Sequence, residues 1–247
     1  MKPAAVTLDF WNTLVDSSGG EYRNIERQRL LREAMERSGY RWDHERCGRI
    51  YRELWGWFDV HWLETRRTPD SEEMVDRLCS ELDVVLPGSD RLGVIEGFER
   101  GVLNHPPALL PGVLDGITFL AARTRLAVIS DTAFSPGTVL REFLHREGIG
   151  QWIGAWSFSN ETGVAKPDPR AFDVALGVLG VSPGAATHIG DIERTDVRGA
   201  QAVGMRAVLY RGDSHPHKYA EEETCANAIL ENWGEIEEVW RQLEGTM

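Results

Sequence analysis

Several side chains that could do chemistry each follow an apolar run or precede a predicted helix. Asp9 and Ser130 end apolar runs, Lys166 lies in Gly-Val-Ala-Lys-Pro-Asp-Pro, and Asp191 and Asp196 lie in Gly-Asp-Ile-Glu-Arg-Thr-Asp. A carboxylate at a strand end can act as a nucleophile when a cation neutralises the incoming anion. A hydroxyl can bind a phosphoryl oxygen, an ammonium can shield two negative charges from each other, and a second carboxylate can hold Mg²⁺. The pattern therefore favours nucleophilic attack on an anionic substrate.

Each of these residues also has an ordinary structural explanation. An aspartate or serine after a strand often caps a helix, Lys-Pro is a common loop dipeptide, and Gly-Asp suits a tight turn. Their order along the chain, together with their positions at predicted strand ends, favours a shared site. Within it, Asp196 is placed to orient a metal-bound water or Lys166.

The elements that position these side chains alternate between strand and helix. Short apolar runs predict buried parallel strands at Ala4–Leu8, Arg125–Ser130, Ala155–Phe158, Thr187–Gly190 and Arg206–Tyr210. Helical patterns between the later runs imply a doubly wound parallel sheet with helices on both faces. Ligands bind such sheets beyond the carboxyl ends of the strands, where Asp9, Asp131 and Asp191 are expected.

One long interruption of this alternation predicts a separate helical cap at residues 17–105. Helical patterns cover Glu21–Arg37, whose apolar residues include Ile25, and His44–Glu64, and a third helix over Ser71–Asp83 begins with a capping-box-like Ser-Glu-Glu-Met. The linker Asn-His-Pro-Pro closes the segment. Residues 1–16 and 106–247 then form the α/β core, with the helical tail at 234–243 docked on it.

Composition narrows the class of partner. The chain of 247 residues has 39 acidic and 27 basic residues and a net charge of −12. This charge argues against binding to nucleic acid or to anionic membranes, and no apolar run is long enough to span a bilayer. The three cysteines suggest neither a disulfide framework nor a zinc site. We expect a cytoplasmic protein with a small-molecule substrate; its oligomeric state is left open.

The motifs, taken in order, resemble those of the haloacid dehalogenase superfamily, whose first motif is Asp-x-Asp-x-Thr. The resemblance implies a Rossmann-like core, a helical cap over the site, and Mg²⁺-dependent phosphoryl transfer through an aspartyl-phosphate. It makes Asp9 the nucleophile, Thr13 its orienting residue, Ser130 the phosphate-binding hydroxyl and Lys166 the charge shield. Metal ligation is expected from Asp9, Asp191, Asp196 and the backbone carbonyl of Trp11. Substrate contacts are expected from Trp11, Asn12, Ser130, Asp131 and Thr132.

Trp11 stands where the family pattern has its second aspartate, which protonates the leaving group. Indole has no usable acidic proton, whereas a positioned acid contributes about 10²–10⁴-fold in rate. The enzyme could act on phosphates whose leaving group needs no proton. Another residue, such as Asp16, Asp131, Glu193 or a cap side chain, could supply the acid. The protein could instead bind a phosphorylated ligand or a partner with little turnover.

Two other enzyme classes are alternatives. A dehalogenase uses the same nucleophile, needs no acid for a halide, and resembles this chain in having an aromatic residue at the second position. Its last motif, however, lacks the metal-binding aspartate that Asp191 matches, so the sequence favours phosphate. A dinucleotide-dependent oxidoreductase is disfavoured because no Gly-x-Gly-x-x-Gly follows the first strand.

The cap carries weaker signals. Tyr51, Trp55, Phe58 and Trp62 form an aromatic stripe, which is more often cap core than ligand wall. The pair Trp57 and His61 could face the site. Arg66 and Arg67 could bind a substrate anion, although a solvated loop is favoured. His188 is interpreted as a packed strand residue.

Overall fold

The fold is built on one parallel sheet. The computed structural model describes residues 2–17, 19–212 and 223–245. Within them, six strands follow the order β3-β2-β1-β4-β5-β6, and every neighbouring pair is parallel. The strands are β1 Ala5–Leu8, β2 Arg125–Ser130, β3 Ile153–Phe158, β4 Ala186–Gly190, β5 Arg206–Tyr210 and β6 Ala228–Leu230. The Rossmann-like α/β class is confirmed, and the short edge strand β6 was not predicted.

Helices cover both faces of the sheet and follow the strands as the alternating pattern predicts. They are α6 Val113–Ala121, α7 Gly137–Arg146, α8 Ser159–Thr162, α9 Pro169–Leu179, α10 Arg198–Ala202 and α11 Ile236–Gly245. One buried cluster joins α6, α7 and α11 to the sheet, and the other joins α9 and α10 to the opposite face. Since β1 lies centrally between β2 and β4, Asp9 emerges at the middle of the carboxyl edge.

The chain between β1 and β2 is helical throughout its regular elements. These are α1 Gly20–Arg37, α2 His44–Val60, α3 Ser71–Leu82, α4 Gly88–Glu99 and α5 Gly101–Asn104. Their apolar faces form a third buried cluster. No helix among the described residues is both long and apolar enough to cross a bilayer.

Helix α4 was missed because its sequence is rich in glycine, which lowers helix propensity. Packing explains one of these glycines: a Cβ at Gly97 would lie 2.5 Å from Leu30 Cδ1 on α1. The close approach of α1 and α4 therefore stabilises a helix that local propensity does not predict.

The buried face of α1 and the N-cap of α3 differ from what the local sequence suggests. Ile25 is 56% exposed, and the buried face of α1 carries Arg23 and Arg27 instead. Helix α3 is capped by Asp70, one residue earlier than expected, because its carboxylate accepts from Glu73 N while the Glu73 side chain accepts from Asp70 N. That reciprocal pair is the capping box.

Cap and core meet at paired linkers and at one shared aromatic residue. The linkers run side by side, since Asp16 N donates to Ala108 O and Leu110 N donates to Leu14 O. Phe134 leaves the loop after β2 and packs in the cap cluster, with ring centroids 5.2 Å from Phe98 and 5.4 Å from Trp55. The core thus contributes a side chain to the cap's interior.

Phe134→Ala tests this joint. The ring is 1% exposed, so its removal leaves a cavity, and we expect the free energy of unfolding to fall by about 3–5 kcal/mol in urea titrations. Tyr22→Ala, at an aromatic residue that is 71% exposed, is the control and should change it by about 0.5 kcal/mol or less. Equal losses in both variants would contradict the packing role of Phe134.

Candidate active site

A cavity of about 430 Å³ lies between the carboxyl edge of the sheet and the cap. Asp9 lies just beyond β1, Asp191 lies just beyond β4, and Lys166 lies on the loop that precedes α9. All three line the cavity, and Asp196 lines it from the π-helical turn Glu193–Val197 before α10. The parallel sheet thus brings together four residues that are distant in sequence.

The Lys166 ammonium is the centre of a buried polar network. It donates hydrogen bonds to Asp9 Oδ1 and, at 2.6 Å, to Asp196 Oδ1. Asp196 Oδ1 also contacts His188 Nε2 at 2.9 Å, and His188 Nδ1 lies 2.7 Å from Thr7 Oγ1. His188 is a packed strand residue as expected, but it also fixes the carboxylate that holds Lys166.

Both oxygens of Asp196 are engaged by protein groups. Besides its contacts through Oδ1, Asp196 accepts at Oδ2 from Ile192 N at 3.0 Å and from Thr195 Oγ1 at 3.3 Å. Gly190 makes this position accessible, since a Cβ there would lie 2.4 Å from Asp196 Cγ. This geometry favours orientation of Lys166 over the direct metal ligation also expected of Asp196.

Both burial and neighbouring charges shift the pKa values of the residues in this network. Burial raises the pKa of Asp9 to about 7, although Lys166 opposes the rise. Burial, with repulsion from Asp9 and Asp196, also raises the pKa of Asp191 well above its usual range. Burial would lower the pKa of Lys166, but the charges of Asp196 and Asp9 raise it above its ordinary value. The ammonium therefore stays charged between the carboxylates.

The donor set fits a hard divalent cation. Asp9 and Asp191 are carboxylates in one cavity whose mutual repulsion a cation would relieve, and oxygen donors suit Mg²⁺. A group of three acidic, histidine or cysteine side chains arranged for a metal does not occur among the described residues. A cation here would therefore need further oxygens, such as the backbone carbonyl of Trp11 and water.

Three polar atoms without hydrogen-bond partners among the described residues lie in the loop after β1 and at the end of β2. Asn12 Oδ1, Thr13 Oγ1 and Ser130 Oγ are buried and have no hydrogen-bond partner within the described part of the chain. Buried polar atoms are normally paired. The two hydroxyls can donate to a ligand oxygen, whereas Asn12 Oδ1 can only accept, and of these three residues Asn12 alone lines the cavity. The orienting role expected of Thr13 is not reflected in a hydrogen bond from its hydroxyl.

Two expected substrate contacts differ in placement. Asp131 lines the cavity and accepts from Lys166 N at 3.0 Å and from Trp62 Nε1 at 2.8 Å. Thr132 is fully buried outside the cavity lining and contacts Ser159 and Asn160. Thr132 therefore supports the loop that carries Asp131.

Trp11 lies partly buried in the cavity wall. Its ring packs edge-on against Phe10 at 4.9 Å, and the Arg23 guanidinium carbon lies 5.6 Å from its centroid. The side chain packs against the core cluster. Trp11 thus forms part of the wall beneath the first cap helix.

The candidate substitute acids separate by position. Asp16 and Glu193 do not line the cavity. The buried Glu193 carboxylate accepts from Thr224 Oγ1 and Cys225 N, and these contacts lower its pKa despite burial. Asp131 and the cap residue Asp59 do line it. Burial raises the pKa of Asp131 to about 6, yet both its oxygens accept N–H bonds, as expected for a carboxylate.

The aromatic stripe serves both purposes considered for it. All four rings belong to the cap cluster, and Trp55, Phe58 and Trp62 also line the cavity. The pair Trp57 and His61 does not face the site: the rings contact each other at 4.5 Å, and neither residue lines the cavity.

Other important residues were not identified from the sequence. Trp233, which is distant in sequence, donates from Nε1 to Thr13 O at 2.8 Å and so holds the loop after β1 that carries Asp9. The arginines Arg23 and Arg27 line the cavity from α1. Their signal was present, since they continue the buried stripe of Leu31 and Ala34.

Sequence comparisons point to one family. A model described as haloacid dehalogenase-like hydrolase matches residues 3–204. A phosphoserine phosphatase from Thermus thermophilus is 44% identical over 68 residues, which is 28% of this chain and 27% of that protein. The haloacid dehalogenase-like hydrolase domain-containing protein 3 of Bos taurus is 38% identical over 73 residues, 30% of this chain and 29% of the relative. The matched segment thus spans less than a third of these relatives.

Solved structures share the fold over almost the whole chain. A 2-haloacid dehalogenase from Pseudomonas syringae superposes with a TM-score of 0.69 and 22% identity, covering 98% of this chain and 99% of that one. The HAD-hydrolase YfnB from Bacillus subtilis, bound to magnesium, gives a TM-score of 0.67 and 17% identity, with 97% and 99% coverage. At these identities the likeness concerns the fold alone.

The raised pKa of Asp9 predicts pH-dependent stability. Between its ordinary pKa of 3.8 and about 7, unfolding releases the Asp9 proton, so wild-type stability falls as pH rises through this window. In metal-free buffer, the free energy of unfolding of Asp9→Asn minus that of wild type should therefore increase from about pH 4 to about pH 7. Denaturant titrations would measure the difference, with the exposed Asp173→Asn as control. A flat or decreasing difference would contradict the prediction.

Proposed function

The chain belongs to the haloacid dehalogenase-like hydrolase family, and on that premise we propose that it is a Mg²⁺-dependent phosphatase of small metabolites with Asp9 as its nucleophile. The observation that carries the proposal is the Lys166 ammonium bonded to Asp9 in the cavity that Asp191 also lines. A phosphate dianion approaching a carboxylate needs this positive charge, and a cation at Asp9 and Asp191 would add to it.

The chain's own residues account for the steps of the reaction. Asp9 attacks phosphorus, forming one P–O bond while the bond to the leaving oxygen breaks, and water then hydrolyses the aspartyl-phosphate. Lys166 shields the approach of two negative charges, and Asp196 keeps it in place. We assign the Ser130 hydroxyl and the side-chain amide N–H of Asn12 as donors to the phosphoryl oxygens. Mg²⁺, when bound, supplies further neutralisation of the charge on phosphorus.

The names of several relatives agree with a small phosphorylated substrate. They include a phosphoserine phosphatase and a glyceraldehyde 3-phosphate phosphatase from Methanopyrus kandleri, which is 41% identical over 70 residues. The latter match covers 28% of this chain and 30% of that protein. Such partial matches support the class of substrate and leave its identity to experiment.

Dehalogenation is the weaker alternative. A halide leaves without a proton and needs no cation, so a dehalogenase would gain nothing from a second buried carboxylate beside its nucleophile. Here Asp191 lines the cavity with Asp9, and burial together with repulsion from Asp9 raises the pKa of Asp191. This charge arrangement favours phosphate.

Trp11 restricts the proposed activity to good leaving groups. An alkoxide must gain a proton as it departs, and indole cannot supply one. Asp131 lines the cavity but is held as an acceptor by Lys166 N and Trp62 Nε1. Acyl phosphates and phosphates of acidic phenols avoid this requirement.

Fluoroberyllate, which mimics a phosphoryl group on aspartate, tests the nucleophile. With Mg²⁺ present at about 100 times the apparent Kd of fluoroberyllate, we expect the wild-type Tm to rise by roughly 5–10 °C. Asp9→Asn should show no such rise and no turnover of any phosphate, because an amide cannot take the phosphoryl group. The exposed Asp173→Asn is the matched control and should behave as wild type. An equal rise in wild type and Asp9→Asn would exclude Asp9 as the attachment point.

A panel of phosphates graded by leaving-group pKa tests the consequence of Trp11. Trp11→Asp should raise kcat/KM on poor leaving groups by about 10²–10⁴-fold and change good ones little, because it restores a proton donor. Trp11→Asn makes the same space without the proton and should bring no gain. A wild type that hydrolyses the whole panel equally well would show that a substitute acid exists.

The binding-protein alternative is separated by the same measurements. If Mg²⁺ and fluoroberyllate stabilise wild type but neither wild type nor Trp11→Asp consumes any ester or acyl phosphate, the protein is a phospho-ligand binder. Turnover that is lost in Asp9→Asn would establish the enzyme.

A further inference from the structure

Two arginines of the cap are buried in the cavity wall. Arg23 and Arg27 lie one turn apart on α1, on the same face of the helix. Arg23 is 4% exposed and Arg27 is 6% exposed, and both line the cavity. Buried arginines normally have a carboxylate or phosphate partner.

Neither guanidinium has such a partner within the described residues. Arg23 donates to His105 O at 3.3 Å and to Ser17 O at 3.4 Å. Arg27 donates to Phe98 O at 3.4 Å and to Asn24 Oδ1 at 3.2 Å. These acceptors are neutral, and neither guanidinium forms an ion pair with a carboxylate among the described residues. Asp16 is close enough to raise the pKa of Arg23, but less than burial and Arg27 lower it.

Other cap arginines behave differently. Arg91 bonds to Asp76 and Glu72 at 2.7 Å, and Arg67 bonds to Glu73 at 2.7 Å. These pairs lie near the surface, where charge is well solvated. The cavity pair is therefore unusual within the cap, because it is the more deeply buried and the less well compensated.

Electrostatics shows the cost of this arrangement. Burial lowers the pKa of Arg23 to about 10, and the neighbouring charge of Arg27 lowers it further than Asp16 can offset. Burial also lowers the pKa of Arg27. The attraction of an anion between the guanidinium groups would offset both the cost of burying them and their mutual repulsion.

The arginines and the reacting centre reach the cavity from different elements: Arg23 and Arg27 from the cap helix α1, and Asp9 and Lys166 from loops of the core. Arg23 Cζ is 5.6 Å from the Trp11 ring centroid, and Arg27 Cζ is 4.4 Å from that of Phe134. Neither forms an ion pair with Asp9 or Asp191 among the described residues. Because Lys166 serves the phosphate that reacts at Asp9 from the core side, the two arginines of the cap are available to a second anionic group.

We propose that Arg23 and Arg27 bind a second anionic group, a carboxylate or a phosphate, of the same small molecule whose phosphate reacts at Asp9. The inference rests on the proposed phosphatase function and narrows its substrate to doubly anionic metabolites. The cavity of about 430 Å³ limits the molecule to a small one. Asp59 of α2 also lines the cavity, and its carboxylate would repel an anion. The second anion is therefore expected next to α1.

A structural role for Arg23 is the competing explanation. Its two hydrogen bonds join the entry linker at Ser17 to the exit linker at His105, and such a clamp would fix the cap without any ligand. That role uses only part of the guanidinium's donors. A structural clamp would also affect singly and doubly anionic ligands equally, whereas an anion site would favour the doubly anionic ones. An experiment can therefore separate the two explanations.

Binding can be measured without turnover in the Asp9→Asn background with Mg²⁺. Two pairs of probes differ only in the second anion: phosphoserine against phosphoethanolamine for a carboxylate, and glycerol bisphosphate against glycerol monophosphate for a phosphate. We expect calorimetry to show about 10-fold or more tighter binding of the doubly anionic member in at least one pair. Arg27→Gln and Arg23→Gln, each added to that background, should abolish this ratio while preserving the affinity of the singly anionic member.

Arg32→Gln, on the exposed side of α1, is the matched control and should keep the ratio. If the glutamine variants do not fold, Arg27→Lys takes their place because it retains the charge. It should reduce the ratio only in part. Equal affinity within both pairs would overturn the inference and leave the phosphate site intact. A ratio that survives in the glutamine variants, or an equal loss for both members, would also overturn it. If no ester binds at all, the inference fails, and the proposed function fails with it when acetyl phosphate does not bind either.

Discussion

The Lys166 ammonium, held between Asp9 and Asp196 in the interior of the protein, is the interaction on which the site depends. Its residue is 2% exposed, so its charge is stable there only because carboxylates surround it. Those carboxylates come from the ends of different elements, which must therefore converge to within hydrogen-bonding distance. Gly190 lets Asp196 approach β4, and His188 and the Ile192 amide hold it in place. The parallel sheet is the framework that makes this convergence possible.

The core half of the site could be predicted from the sequence because its determinants are local. Each of Asp9, Ser130 and Asp191 directly follows or ends a run of apolar residues, and such runs form neighbouring parallel strands whose carboxyl ends share one edge. Position after a strand therefore implies proximity in space. The edge strand β6 escaped prediction because three residues carry too little pattern. Thr132 lies outside the cavity lining, where its hydroxyl forms hydrogen bonds with Ser159 and Asn160.

The cap half could not be predicted, because its side chains are placed by tertiary packing. Ile25 is exposed although it is apolar, and Arg23 is buried although it is charged, so the helix is rotated away from the face that hydrophobicity alone favours. The rotation is explained by the buried stripe of Arg23, Arg27 and Leu31: the arginine stems pack like apolar side chains while their charged ends reach the cavity. Helix α4 likewise depends on Gly97 fitting against Leu30. Hydrophobicity alone assigns charged residues to the outside and fails where a cavity lies within.

Two arginines of the cap and two carboxylates of the core bring opposite charges to one cavity, and these charges determine what the cavity can bind. Asp9 and Asp191 at the sheet edge repel each other and favour a cation, whereas Arg23 and Arg27 opposite them favour an anion. A metal and a doubly anionic molecule would satisfy both, and the aromatic walls around them exclude the water that would weaken these interactions. A molecule with one anion would leave the arginines uncompensated. Selectivity would then follow from the cost of a buried, unpaired charge, with Phe134 joining the two halves across the cavity.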